Sequence, residues 1–210
     1  MYLPKHFEQP DKALLAELMH ERPLATLVVA TPEGPTADLI PLEFHPNLGT
    51  HGTLRGHVAR ANPLWHHAGA AALAVFQGPH AYVSPNWYPS KREHGKVVPT
   101  WNYTMVQARG TLRAVDDTPW LRLLVGRLTE RHESAQPKPW LVSDAPEEFV
   151  RQMLGAIVGI EIELTALTGK WKVSQNRSAA DRLGVAQGLV ADAADDNARA
   201  MAALVRDRST

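Results

Sequence analysis

The sequence predicts a mainly β fold with α-helical cover: six or seven strands forming a small barrel, peripheral helices, and a helical tail at the C-terminal end. Three observations carry this. Short runs such as LATLVVAT from Leu24 and AALAVFQG from Ala71 are apolar or alternating, and turn chemistry such as PEGP at Pro32 to Pro35 separates them. The stretch WNYTMVQARGTLRAV, Trp101 to Val115, alternates over a length too great for a flat edge strand, so it reads as one bent strand with Gly110 at the bend. Helical segments interrupt the strands irregularly, which disfavours a parallel βαβ sheet.

In chain order, DKALLAELMHER from Asp11 places Leu14, Leu15, Leu18 and Met19 on one helical face, with Pro10 in the first turn and Pro23 as the stop. LATLVVAT and TADLIPLEF then form a hairpin, and HPNLGTHG is a further turn. TLRGHVA from Thr53 is a strand that enters a short helical turn, RANPLWHH, with Asn62 as its N-cap and Pro63 first. AALAVFQG reads as a strand buried on both faces, and HAYVS either continues it or pairs with it. Thr118 caps a helix with Pro119 at its first position, QPKPW breaks it, PEEFVRQML is another short helix, and AIVGIEIELTAL is the last long strand. After Arg177 the composition shifts to Ala, Asp and Arg, with helices expected near Ala179 to Leu189 and Asp195 to Arg206. They form either an arm packed on a partner or a tail. The expected domains are therefore 1–177, the barrel, and 178–210, a helical extension.

With 22 basic and 22 acidic side chains the formal charge is zero, and a chain that grips nucleic acid by itself usually carries a basic footprint. DNA remains a partner only through a local patch. No apolar run approaches the roughly 20 residues of a membrane span, no basic start precedes an apolar leader, and cysteine is absent, so the cytoplasm is the expected compartment. Ten histidines invite a metal, yet no HExxH or Cys pair supports one, and GxGxxG, P-loop and GxSxG motifs are missing.

The densest chemistry lies between Phe76 and Tyr103. Phe76, Tyr82, Trp87, Tyr88, Trp101 and Tyr103 fall within it, interleaved with Gln77, His80, Ser84, Asn86, Thr100 and Asn102. Such a stretch suits a hairpin whose aromatics fill one core, or a cleft for a flat heteroaromatic ligand. GHVARAN, Gly56 to Asn62, ends a strand and enters a helical turn, so Arg60 either meets an oxyanion there or is a solvated side chain. WKVSQNR, Trp171 to Arg177, is either a polar cap leading to Ser178 or an anion-holding loop just after the last strand.

The blocks MYLPKHFE, GHVARANPLW, FQGPHAYVSPNWY, VPTWNY and WKVSQNR resemble, in the same order, the pattern of the PaiB family of FMN-binding negative transcriptional regulators, which have the FMN-binding split-barrel fold. PSKREHGK, Pro89 to Lys96, departs from it in being longer and more basic. The resemblance implies FMN as cofactor and a homodimer, which would cover Trp65, Trp87, Trp101 and Trp171. It implies phosphate contacts at His57, Arg60, Ala61 and Asn62. Ring and ribityl contacts follow at Ser84, Trp87, Thr100, Trp101, Asn102 and Tyr103, with Thr100 and Asn102 turned to the ligand, and at Lys172, Gln175 and Arg177. Other functions stay open: a flavin-dependent oxidoreductase, for which His80 and Tyr82 are the acid or base candidates; a haem-binding barrel; and a DNA-binding repressor using the tail from Ser178 to Arg208.

Overall fold

The computed structural model describes residues 1–192 and 195–207; of the expected 178–210 extension, 193, 194 and 208–210 lie outside the described residues. In chain order the elements are β1 (Glu8–Gln9), α1 (Lys12–Glu21), β2 (Leu24–Thr31), β3 (Gly34–Pro41), β4 (Glu43–His45), β5 (Thr53–Ala59), β6 (Ala71–Val83), α2 (Ser90–His94), β7 (Thr100–Val115), α3 (Thr118–Glu133), α4 (Glu147–Gly155), β8 (Ile157–Lys172), α5 (Ala179–Ala191) and α6 (Asp196–Asp207). The sheet runs β3-β2-β6-β7-β8-β5-β4, with β1 added on β8. The predicted class, mainly β with peripheral helices and a helical C-terminal end, is the one observed. Among the described residues eight strands replace six or seven because TADLIPLEF divides at the buried Leu42, whose amide bonds Pro23 O at 2.9 Å, and because the two-residue β1 pairs with β8. HAYVS proves to be the continuation of β6.

Contacts gather Met19–Phe76 and Gln107–Leu167 into one compact unit, and Met1–Leu18, Gln77–Val106 and the chain from Thr168 into another. In the first of these, β2 and β3 form the expected hairpin, closing from Leu24↔Pro41 to Thr31↔Gly34, and Gly34 takes φ +117° at the turn, which a side chain rarely adopts. Alternation along β2 turns Ala25, Leu27 and Val29 into the core. β5 pairs antiparallel with β8 from Thr53↔Glu163 to Ala59↔Ile157. Gly56 lies so close to Pro41 O and Leu42 that a Cβ there would collide, so the end of β3 wraps beside β5. Gly110 is similarly tight against the Glu163 backbone, which explains a glycine in the middle of β7. Outside the sheet, α3 and α4 share a small core of Leu121, Val150 and Leu154, with Trp120, Val125 and Ile157 around it.

One predicted cap and one predicted helix start move. Asp117, not Thr118, caps α3: its carboxylate accepts the Trp120 amide at 2.7 Å, and an acid at a helix N-terminus also meets the favourable end of the dipole. Likewise Asp11 accepts the Ala13 amide at 2.8 Å, so α1 starts at Lys12 and Pro10 lies just outside. Of the predicted α1 face, Leu15, Leu18 and Met19 are buried and Leu14 is exposed.

In the other unit, β1 pairs with β8 through Glu8↔Lys170 and Gln9↔Gly169. Ser178 caps α5 as expected, its hydroxyl accepting the Asp181 amide at 3.2 Å. Asp181 is itself buried and receives the Ser90 amide and hydroxyl, tying α2 to α5. In the same unit α5 packs on α6, and Val185, Leu189, Met201 and Val205 of these helices are buried. Among the described residues no helix is long and apolar enough to cross a membrane, and no cluster of His, Cys, Asp or Glu is arranged to hold a metal.

Candidate functional site

The predicted residues fall into three groups. At the passage from β5 into the 3₁₀ turn Pro63–His67, Asn62 caps the turn as predicted, its Oδ1 accepting the Leu64 amide at 2.9 Å. Its Nδ2 donates to Asp38 Oδ1 at 3.3 Å. His57 lies between two concavities. One, of about 370 Å³, is lined by Asp38, Ile40, Ala59 and Asn62; the other, of about 360 Å³, by Val125, Leu128, His132 and Trp140. His57 Nδ1 is buried without a hydrogen-bond partner, and burial lowers the imidazole pKa below its usual 6.5, favouring the neutral ring. Ala61 is exposed.

Arg60 does meet an oxyanion, but one belonging to the chain. Its Nη1 and Nη2 donate to the two Asp116 oxygens at 2.9 and 2.6 Å, and Nε donates to Gly155 O at 2.7 Å. Nη2 also donates to Ile157 O at 3.1 Å. The hydrogen bonds hold the Arg60 pKa above, and that of Asp116 below, the ordinary values. An external phosphate at Arg60 must therefore compete with Asp116.

The second group stands at the end of β8. WKVSQNR does not lie wholly after the strand: β8 runs through Lys172. Lys170 and Lys172 are two apart on this strand and so project from one face. Lys170 is only 8% exposed; its Nζ donates to Tyr2 O at 3.1 Å and lies 5.3 Å from the centre of the Tyr103 ring. Lys172 Nζ donates to Thr100 Oγ1 and, at 2.5 Å, to Trp101 O. The Arg177 guanidinium stacks 5.0 Å over the buried Tyr88 ring. Burial, then repulsion from Lys170 and Arg177, pushes the Lys172 pKa down. Among the described residues none of these three cations forms an ion pair with a carboxylate.

The backbone beneath this cluster is braced. Gln175 accepts the Val173 amide at 2.8 Å and donates to Trp171 O at 2.5 Å. Asn102, 1% exposed, donates from Nδ2 to Ser174 Oγ at 2.9 Å, and Ser174 has φ +63°, rare for a residue with a side chain. Asn102 thus points into the interior.

The third group is a cleft of about 420 Å³ that brings together Ser84, Trp87 and Trp101 with His80 and Tyr82. Strand alternation turns Trp101 and Asn102 to opposite faces: Trp101 is 55% exposed, while Asn102 is buried. Of the other tryptophans expected at the surface, Trp65 and Trp87 are half-buried and Trp171 is buried.

A family model described as "Putative FMN-binding domain" matches residues 1–166. Protease synthase and sporulation protein PAI 2 of Bacillus subtilis is 32% identical over 99% of this chain and 98% of its own length. The chain belongs to the PaiB family. An uncharacterised family relative from Aspergillus fumigatus is 32% identical over 90% of both chains. Among solved structures the fold is shared with the FAD and haem binding protein from Mycobacterium smegmatis, with a TM-score of 0.55 at 18% identity, covering 79% of this chain and 73% of that one. It is also shared with the flavocytochrome Anf3 from Azotobacter vinelandii, with a TM-score of 0.57 at 9% identity, covering 81% and 72%.

Sequence reasoning passed over Lys170, although its spacing of two from Lys172 on a strand was a signal. It also passed over Asp116, which lies 56 positions from Arg60 and has no local mark, and over Ser174 as a strained position.

Proposed function

We propose that the protein binds FMN and acts, as a homodimer, as a PaiB-like negative regulator whose state follows the flavin. The observation that carries this is the uncompensated cluster of Lys170, Lys172 and Arg177. Three cations, one of them with a pKa already depressed by burial and by repulsion from the other two, are stabilised when an anionic group arrives beside them. Bound FMN supplies a phosphate dianion and a ring that becomes anionic on reduction. We assign Lys172 and Arg177 to the polar edge of the ring, with Thr100, Tyr103 and Gln175 beside them and Asn102 acting from beneath through Ser174. For the phosphate, the groups at the β5 passage are the unpartnered His57 Nδ1, the backbone at Ala61, and Asn62, with Arg60 exchanging Asp116 for the ligand. A positive cluster at the ring edge favours the reduced over the oxidised flavin, which is the differential interaction a redox-responsive regulator needs. The exposed Leu123, Phe149 and Met153 of α3 and α4 support a second copy as partner.

The test is titration of the purified protein with FMN and riboflavin in both redox states, followed by visible absorption. Lys172→Gln should weaken reduced FMN more than oxidised FMN, and Arg60→Ala should weaken FMN more than riboflavin. If Lys172→Gln leaves both redox states equally bound, the cluster does not face the ring. Turnover of NADH by the flavin-loaded protein would move the reading to an oxidoreductase, and a sedimentation value for a lone 23.1 kDa chain would remove the dimer.

A further inference from the structure

The aromatic cleft is built, not incidental. Gly184 and Gly188 of α5 leave room for the turn Pro85–Trp87: a Cβ at Gly184 would strike Trp87 O, and one at Gly188 would strike the indole ring. Trp87 is thereby seated on the helix. Facing it are Trp101 with Tyr82 edge-on at 6.1 Å and His80 tilted at 6.3 Å between ring centroids. The remaining wall carries Asp192, at the C-terminal end of α5, and Asp195, which precedes α6. Aromatic faces present negative quadrupole density, the end of α5 presents the negative pole of its dipole, and two carboxylates add full charges. The N-terminus of α6, which reaches the same wall at Ala198, carries the opposite pole, but Asp195 caps it and the two full charges outweigh it. A phosphate or an anionic flavin is repelled by this rim, whereas a cation with apolar substituents gains from both walls.

We propose that this cleft is a binding site for an organic cation, a protonated or quaternary ammonium ion, distinct from the residues assigned to FMN. The aromatic rings take the alkyl-substituted head, and Asp192 and Asp195 supply the counter-charge. The assignment does not depend on the flavin reading, and it gives Ser84, Trp87 and Trp101 a ligand of opposite charge to the one first expected.

The experiment uses the full chain and calorimetric titration with choline, against 3,3-dimethylbutan-1-ol, which has the same shape and no charge. Choline should bind about tenfold or more tightly than the alcohol, as expected when cation–π and charge terms act together. The double variant Asp192→Asn with Asp195→Asn removes both counter-charges and should lower choline affinity by about tenfold or more. Asp195→Asn retains a side-chain oxygen to receive the Ala198 amide, as Asp195 does at 2.8 Å, so an unchanged melting temperature checks that α6 is intact. Trp101→Leu, at an exposed position, should weaken choline and also leave the melting temperature unchanged. Equal affinity for choline and the alcohol would reduce the cleft to an apolar pocket and overturn the proposal. So would unaltered choline binding in the double variant, or no choline binding at all. Competitive displacement of choline by FMN would return the cleft to the flavin and also overturn it.

Discussion

Replacing Asn102 by alanine tests whether the interior pair under the cation cluster supports the fold or only the ligand. The side chain is almost wholly buried and its amide donates to Ser174 Oγ at 2.9 Å. Removing it deletes a buried hydrogen bond worth about 1 kcal/mol and leaves the Ser174 hydroxyl without that partner, a penalty of about 1–3 kcal/mol. The expected loss is about 2–4 kcal/mol, and for a chain of this length each 1 kcal/mol moves the melting temperature by about 2–4 °C, so a fall of about 4–16 °C is expected. Ser174 sharpens the test, because its φ of +63° is strained for serine and natural for glycine. Adding Ser174→Gly to Asn102→Ala removes both the strain and the orphaned hydroxyl, and should restore roughly 1 kcal/mol or more. The assay is thermal unfolding of flavin-free protein followed by circular dichroism for the wild type, both single variants and the double variant. A melting temperature for Asn102→Ala within about 2 °C of wild type would refute the reasoning, since it would mean that the pair contributes under 1 kcal/mol.

Three further outcomes follow from other parts of the molecule. Glu161 is buried and accepts from Arg55 at 2.7 Å and Arg113 at 2.6 Å, so Glu161→Gln should cost about 2–3 kcal/mol, below the full value for a buried pair because Arg113 is largely exposed; urea unfolding measures it. The His57 pKa is lower in the folded protein than its usual 6.5, so below that pH the unfolded chain takes the proton first and stability falls as pH drops; His57→Gln should flatten this part of a melting-temperature profile and change nothing above pH 6.5. Gly188→Val should unseat Trp87, costing about 1–3 kcal/mol as overpacking does and altering tryptophan fluorescence, whereas Gly126→Ala, where a Cβ meets nothing, should be neutral or slightly stabilising.

What the sequence made legible was periodicity and punctuation. β2, β3 and β5 follow from alternation and turn residues, and the Asn62 cap and the Ser178 cap follow from local hydrogen-bond chemistry. Cap identity failed by one position at Asp117, where two adjacent residues, Asp and Thr, both qualify and only the geometry of the incoming chain selects between them. β8 reads too short from sequence because its last residues are held by neighbours remote along the chain, such as Glu8 against Lys170 and Gln9 against Gly169. For the candidate site, the polar content of WKVSQNR was legible while the lack of a counter-charge was not, since absence of a partner is a property of the whole fold. The commitment of Arg60 to Asp116 and the acidic wall opposite Trp101 were hidden for the same reason: each joins segments with no pattern between them. The family resemblance places Asn102 toward a ligand, and burial turns it inward.

The two glycines that seat Trp87 also set how α5 behaves. Each glycine in a helix interior lowers intrinsic propensity by about 1 kcal/mol relative to alanine, so α5 holds its shape chiefly through what lies against it, namely Trp87 on one side and α6 on another. Its amide protons should therefore exchange with solvent on the timescale of Trp87 leaving its seat, not on that of global unfolding. Anything that fills the cleft and pins Trp87 slows exchange along α5, and because Asp181 on the same helix receives Ser90, that protection reaches the basic segment of α2 as well. Occupancy of a small cleft is in this way written into the lifetime of a helix.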